Sequence, residues 1–206
     1  MSWGPEHWSA IANGFVALAA VGGAVAAFVG LGTWKKQFNW QSDNHLARRV
    51  LLASYRYRDA IFSLRNPTIL GVEMVPENGT TISSKYPWSG TAIALSRRLT
   101  MLRSMRSELE GVRQEAEAHW GDLLEQMFEA MFKEEKRLIR AVQLFMQSLD
   151  ETSSKEDRVR AMQRGKEGGN IHFQSTAVEP DEFTLRFEDL LSNVARILRA
   201  KLGQNE

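Results

Sequence analysis

Several common features of proteins are absent from this 206-residue sequence. It has no cysteine, which excludes disulfides and thiolate metal ligands and fits a reducing compartment. No stretch alternates convincingly between apolar and polar residues with period two, so the sequence predicts few strands. No internal repeat at a solenoid period is present. The net charge of +1 gives no overall basic field that would attract nucleic acid.

Charge is absent from a long segment near the beginning of the sequence. From Trp8 to Trp34, 27 consecutive residues include no Asp, Glu, Lys, Arg or His. A bilayer core of about 30 Å needs about 20 mostly apolar residues. Aromatic residues flank this run on both sides, where they favour the headgroup layer; they are Trp3, Trp8, Trp34, Phe38 and Trp40. The sequence therefore predicts a short outward tail and one transmembrane helix within 1–36, and a cytoplasmic helical domain over 37–206.

Basic residues are distributed unequally around this run. The first ten residues contain no Lys or Arg, and the apolar run is longer than that of a signal peptide, which favours an uncleaved span. Lys35, Lys36, Arg48 and Arg49 follow the run. By the positive-inside rule, we expect the N-terminus outside and the rest of the chain in the cytoplasm.

Small residues recur at every fourth position of the predicted span. They form two ladders, Ala19, Gly23 and Ala27, and Gly22, Ala26 and Gly30. Small residues let helix backbones approach closely in lipid, so the ladders predict a homo-oligomer packed through this helix. If several copies surround an axis, the small face and Asn13 would line a pore. The alternative is that a solitary anchor simply tolerates Ala and Gly.

Apolar residues at steps of three and four predict an all-α fold, an antiparallel bundle of about four helices behind the span. The first helix covers about 41–65 and ends at "NP", and a loop covers 66–90. The next two helical stretches cover about 90–149, with Gly121 either breaking the helix or lying within it. A second loop covers 150–180, and "EPDEF" begins the last helix. The clearest apolar stripe is that of the first helix, Leu46, Val50, Ala53, Tyr57, Ala60 and Leu64.

"RQEAEAH", from Arg113 to His119, resembles the Arg-x(4–6)-His pattern of HEPN ribonucleases. That resemblance implies that Arg113 and His119 of two protomers flank an RNA phosphate, with the histidine moving a proton and the arginine compensating the phosphate charge. On a straight helix the two side chains lie about 120° apart. They would therefore need a kink or a partner chain to converge, and the alternative is a pair of ordinary surface residues.

Arginine and tyrosine alternate in "YRYRD", and more arginines follow on the second cytoplasmic helix. Cations beside aromatic rings suit nucleotides or single-stranded nucleic acid, so we consider a ligand-binding set of Tyr55, Arg56, Arg58, Arg97, Arg98, Arg103 and Arg106. The acids Asp59, Glu108 and Glu110 lie among them, which favours the alternatives of intersubunit ion pairs or lipid headgroup contacts. The histidines are scattered, so we predict neither a metal site nor a cofactor.

Two segments, "ARRVLLASYRYRDAIFSLRNP" at 47–67 and "EAEAHWG" at 115–121, follow the predicted span. In this layout the chain resembles bacterial single-span membrane proteins with a helical cytosolic domain. Two anti-phage kinds are similar: the membrane-pore accessory protein of type VI CRISPR systems, and the channel effector of Hailong-type defence. The resemblance implies an inner-membrane channel and, for the second kind, a nucleotide or oligonucleotide ligand made by a partner nucleotidyltransferase. The alternatives are a membrane-tethered ribonuclease and a passive membrane scaffold.

Overall fold

The computed structural model describes residues 40–75, 88–169, 171–174 and 179–203, together with the single positions 23, 34, 37 and 38. This part of the chain is all-α and contains no strand, so the predicted fold class is confirmed at that level. Within it, no helix combines the length and apolar character that crossing a membrane requires.

The chain divides into two compact units, Met1–His45 and Leu46–Glu206. In the first unit, Gly23 and Trp34 are the described positions of the predicted span, and both are helical. The other residues of the predicted span lie outside the described residues, so the span and its orientation stay predictions. The same holds for the remaining span-packing and pore positions, which are Asn13, Ala19, Gly22, Ala26, Ala27 and Gly30.

The helix that was predicted to follow the span, α1, covers residues 40–65, close to the predicted 41–65. All six residues of its predicted apolar stripe are buried, which confirms the stripe. The helix ends because Pro67 disfavours helical backbone at Asn66. The Asn66 side chain then accepts a hydrogen bond from the Thr68 backbone N–H at 2.9 Å, which fixes the turn.

The loop predicted over 66–90 contains a one-turn helix, α2 (Gly71–Met74), and residues 76–87 lie outside the described residues. The long helix α3 covers Trp88–Trp120 and thus begins slightly before the predicted start. It ends at Gly121, whose φ of 68° is a left-handed conformation that glycine adopts without strain. The Gly121 N–H still bonds the Glu117 carbonyl at 2.8 Å. Of the two alternatives, Gly121 is therefore the break.

A 3-10 turn (Asp122–Leu124) leads into α4 (Glu125–Leu149), and the last helix, α6, covers Glu182–Lys201. The N-cap of α6 is Asp181, whose carboxylate accepts from the Thr184 N–H at 2.9 Å. Both helices bury the apolar faces that the sequence predicts; the fully buried large side chains include Phe128, Met131, Leu138, Phe187 and Leu191. Each large side chain removed from water contributes about 1.5–3 kcal/mol to folding.

The prediction of a loop over 150–180 needs a correction. A fifth long helix, α5 (Lys155–Glu167), lies within that range. Its start is capped by Ser154, whose hydroxyl accepts from the Asp157 N–H at 3.1 Å, and Gly168 follows its end. Ala161 is its one buried residue. A helix with so narrow an apolar face has almost no periodic signal, so the bundle has more helices than the four expected.

Candidate functional site

The predicted ligand-binding residues on α1 already have partners within the chain. Arg56 pairs with Glu108 of α3 at 2.7 Å. Arg58 pairs with Asp59 at 2.7 Å, and its guanidinium lies 5.1 Å from the centre of the Tyr55 ring. These pairs are largely exposed, so each contributes little to stability. In these pairs, however, the guanidinium groups that would bind a ligand phosphate already bind carboxylates of the same chain.

Arg97 and Arg98, in the third turn of α3, bind the segment that follows α1, including α2. Arg98 is buried, donates to the carbonyls of Asn66 and Thr68 at 2.6 and 2.7 Å, and pairs with Glu73 at 2.7 Å. Arg97 donates to the carbonyls of Val72 and Glu73 at 3.1 and 3.0 Å. A buried guanidinium needs this degree of compensation. Both side chains therefore hold the backbone in place.

Arg106 belongs to a polar cluster inside the bundle. It pairs at 2.7 Å with Glu135 of α4, which is 4% exposed, and lies over the Phe132 ring. The Tyr57 hydroxyl is buried beside this pair without a hydrogen bond among the described residues. Burial, and then the nearby Glu135 carboxylate, raises the pKa of Tyr57 far above its ordinary value. The phenol therefore stays neutral at ordinary pH.

Arg103, the last member of the predicted set, is exposed on α3 and makes no contact with another charged side chain in the described part of the chain. The seven residues thus lie in separate places on α1 and α3, and the structure does not bring them together as one ligand site. The four arginines between 97 and 106 are close in sequence, but they are distributed around the axis of α3 and so contact different neighbours.

Arg113 and His119 lie on the same uninterrupted helix, α3. Arg113 pairs with Glu110 at 2.7 Å and with Glu117 at 2.9 Å. The hydrogen bond between Arg113 and Glu110 raises the pKa of the arginine and lowers that of the carboxylate. His119 is exposed, and its ring lies 6.2 Å from that of Trp120. On one helix, residues six positions apart lie about 120° apart around the axis, so the site that the ribonuclease resemblance implies would need the residues of a second protomer.

Arg65, at the end of α1, is a buried arginine whose guanidinium donates four hydrogen bonds to described residues. It was not predicted from the sequence. It is 1% exposed and donates to the Ile171 carbonyl at 2.9 Å, to Thr184 Oγ1 at 2.8 Å and to Asp181 Oδ2 at 2.7 Å. Its guanidinium also lies 4.4 Å from the centre of the Phe183 ring. The available signal was its position four residues after Ile61, which puts a charge on the apolar face.

Glu134 and Glu135 of α4 are buried acids that sequence reasoning also missed. Glu134 is shared between Arg137 at 2.7 Å and Arg186 of α6 at 3.4 Å. The signal was again positional, because both acids precede Leu138 by one turn and so lie near the apolar stripe. Among the described residues, no group of three or more His, Asp or Glu side chains is placed to hold a metal ion.

Comparison with known proteins gives no relative on which to base a function. No protein-family model matches this sequence, and neither the curated proteins nor the solved structures yield a match.

Proposed function

We propose that this protein is a homo-oligomeric effector of the bacterial inner membrane. Its N-terminal span forms or gates a channel, and its cytoplasmic helical domain responds to a signal. The observation that carries the proposal is the position of α1, which follows the uncharged run in sequence and packs one face into the core of the helical unit. A rearrangement of that unit would be transmitted to α1.

The contacts of α1 reach the other long helices that build the core. Its buried Tyr57 lies with its ring 6.0 Å from those of Phe132 on α4 and Phe187 on α6. Arg49 pairs with Glu115 of α3 at 2.8 Å. Since packed interiors change between discrete arrangements and do not deform continuously, a helix in this position suits a switching role.

The resemblance to anti-phage membrane effectors supports a role in defence. Under that resemblance, the signal is a nucleotide or oligonucleotide made by a partner enzyme.

The first test is the oligomeric state of the full chain purified in detergent. We expect a discrete oligomer by mass photometry, because small-residue ladders allow close helix packing. A monomer at all accessible concentrations would rule the proposal out.

The second test is dissipation of membrane potential when the full chain is expressed without regulation. Gly23→Leu and Ala27→Leu should abolish it, because a large side chain would separate the packed small faces. Val25→Leu is the matched control, because on a straight helix position 25 lies about 160° around the axis from Gly23, away from that ladder. This variant should dissipate the potential like the wild type.

The same assay separates the alternatives. If His119→Ala abolishes toxicity together with RNA cleavage, the ribonuclease function is correct and the channel is not. If an unrelated single span substitutes fully for residues 14–36, the segment is only an anchor.

A further inference from the structure

A groove runs between α4 and α5. None of the predicted ligand-binding or catalytic residues lines it. One side of α4 lines it from Arg137 to Leu149, a distance of about 18 Å at 1.5 Å per residue. The groove consists of two adjoining cavities of about 660 and 460 Å³ that share Ala141, Leu144 and Gly165. These volumes lie in the range of sites for small ligands.

The larger cavity is basic. Arg137, Arg140 and Arg164 line it, with Glu167 as the acid. The guanidinium groups of Arg140 and Arg164 are exposed and make no hydrogen bond or ion pair with any residue that the structure describes. They differ in this from Arg65, Arg97, Arg98, Arg106 and Arg113, which all have protein partners. Two guanidinium groups facing one cavity without partners favour an anionic group.

The smaller cavity is apolar. It is lined mainly by Leu144, Phe145, Leu149, Met162 and Phe173, with Ser148, Lys166 and His172 as the polar side chains. The His172 ring stacks on Phe145 with centroids 4.5 Å apart. Burial, and then the charge of Arg65, lowers the pKa of His172, so this imidazole is neutral at pH 7 and adds no charge to the apolar end.

Gly165 lies where the two cavities meet, within α5. A glycine inside a helix costs about 1 kcal/mol relative to alanine. A Cβ at this position would meet no described atom within 4 Å, so close packing does not require glycine here. A longer side chain would instead project into open space at the junction and narrow the groove.

We propose that this groove binds a single-chain amphiphile with an anionic headgroup. The phosphate or carboxylate lies against Arg140 and Arg164, and the alkyl chain extends along Leu144, Phe145 and Leu149. The exposed lining of this cavity is mostly nonpolar, although it includes aromatic rings as well as aliphatic side chains. Ser148, Lys166 and His172 are its polar side chains, too few to recognise the edge of a base in full, which favours an alkyl chain over a nucleobase. This site does not depend on the proposed channel function.

The test is photolabelling of the full chain in nanodiscs of phosphatidylcholine, with a decyl phosphate that carries a diazirine on its alkyl chain. Mass spectrometry should locate the label on 141–149 and 161–166. Unlabelled decyl phosphate should compete, whereas decanol and inorganic phosphate should not, because each lacks one half of the ligand. Equal competition by decanol, competition by ATP but not by decyl phosphate, or labelling elsewhere only would overturn the proposal.

Matched variants test the two halves of the groove separately. Gly165→Leu should reduce groove labelling at least about tenfold by filling the junction, while Gly111→Leu, at an exposed helical glycine of α3 outside the groove, should not. Arg140→Glu should weaken competition by decyl phosphate about tenfold or more. Lys136→Glu, with the same charge change on an exposed position of α4, should leave it unchanged. Retained labelling in both Gly165→Leu and Arg140→Glu would contradict the site.

Discussion

At the scale of single residues, the buried guanidinium of Arg65 does more to fix the fold than any exposed ion pair. It connects the end of α1 to the segment 171–174 and to the beginning of α6. Its removal would take a donor from the Ile171 carbonyl, from Thr184 Oγ1 and from Asp181 Oδ2, and the loss of buried hydrogen bonds is costly.

Arg65→Met should therefore lower the free energy of unfolding by about 3 kcal/mol, toward the lower end for a broken buried pair because Asp181 is partly exposed. Chemical denaturation measures the change. Arg49→Met is the control, since its pair with Glu115 is exposed on both sides and should cost less than about 1 kcal/mol. Equal effects of the two variants would contradict the role of Arg65.

Tyr57 offers a prediction of the opposite sign. Its hydroxyl is buried without a hydrogen bond in the described part of the chain, so Tyr57→Phe removes a desolvated polar group and breaks no such bond. We expect the variant to be as stable as the wild type or up to about 2 kcal/mol more stable at pH 7, as measured by chemical denaturation.

The alkaline limb of the stability curve gives a second measurement on the same variant. The folded pKa of Tyr57 is raised, so above its ordinary value of 10.0 the unfolded phenol ionises while the folded one does not. The wild type should therefore lose stability relative to Tyr57→Phe as the pH rises through 10. A destabilised variant at pH 7 would show that the hydroxyl has a partner.

Glu110 gives an acid-side prediction. Its hydrogen bond with Arg113 lowers the folded pKa below the ordinary 4.5. Its stabilisation is thus fully present above pH 4.5 and is lost as the pH falls through the lower folded value. At pH 7 the free energy of unfolding of the wild type should exceed that of Glu110→Gln by less than about 1 kcal/mol, as measured by thermal unfolding. In acid the stabilities of the two proteins should become equal. Arg113→Gln should converge similarly, and a constant gap would contradict the linkage.

At the scale of elements, α5 separates what the sequence could predict from what it could not. The stripes of α1, α3, α4 and α6 repeat often enough to identify each helix, and their buried residues confirm them. In α5 the capping residues Ser154 and Asp157 were visible, but one buried Ala161 gives no periodicity. Arginine partners were equally unpredictable, because Arg65 and Asp181 are far apart in sequence and meet only through the fold.

The Ser154 cap should control the local stability of α5. Ser154→Ala removes the acceptor of the Asp157 N–H and should weaken the helix start by about 1 kcal/mol. Hydrogen exchange of the first α5 amides should become about fivefold faster, while exchange in α4 stays unchanged. Ser154→Asp keeps a capping oxygen and should exchange like the wild type. Faster exchange in both variants would point to another cause.

At the scale of the whole molecule, the helical unit depends on its last helix. α6 provides several fully or nearly fully buried side chains, among them Phe187, Leu191, Val194 and Leu198, and the capping Asp181 that binds Arg65. The interior surfaces of α1 and α4 would be exposed without it.

Removal of 179–206 should therefore abolish the cooperative unfolding transition, as followed by near-ultraviolet circular dichroism. Removal of 204–206, which lie outside the described residues, is the control and should leave the transition in place. A cooperative transition in the longer truncation would show that α1, α3 and α4 form a core by themselves.

The link between Arg65 and Asp181 also sets an order of events during biosynthesis. The two residues are 116 positions apart. At about 5–20 residues per second, the ribosome makes Asp181 roughly 6–23 s after Arg65. Throughout that interval the apolar side of α1 lacks its final cover while the nascent chain is still growing. Chaperones that bind exposed apolar helices would therefore be able to bind α1 throughout this interval. Slower translation before codon 181 would lengthen the interval and should increase aggregation of the nascent chain.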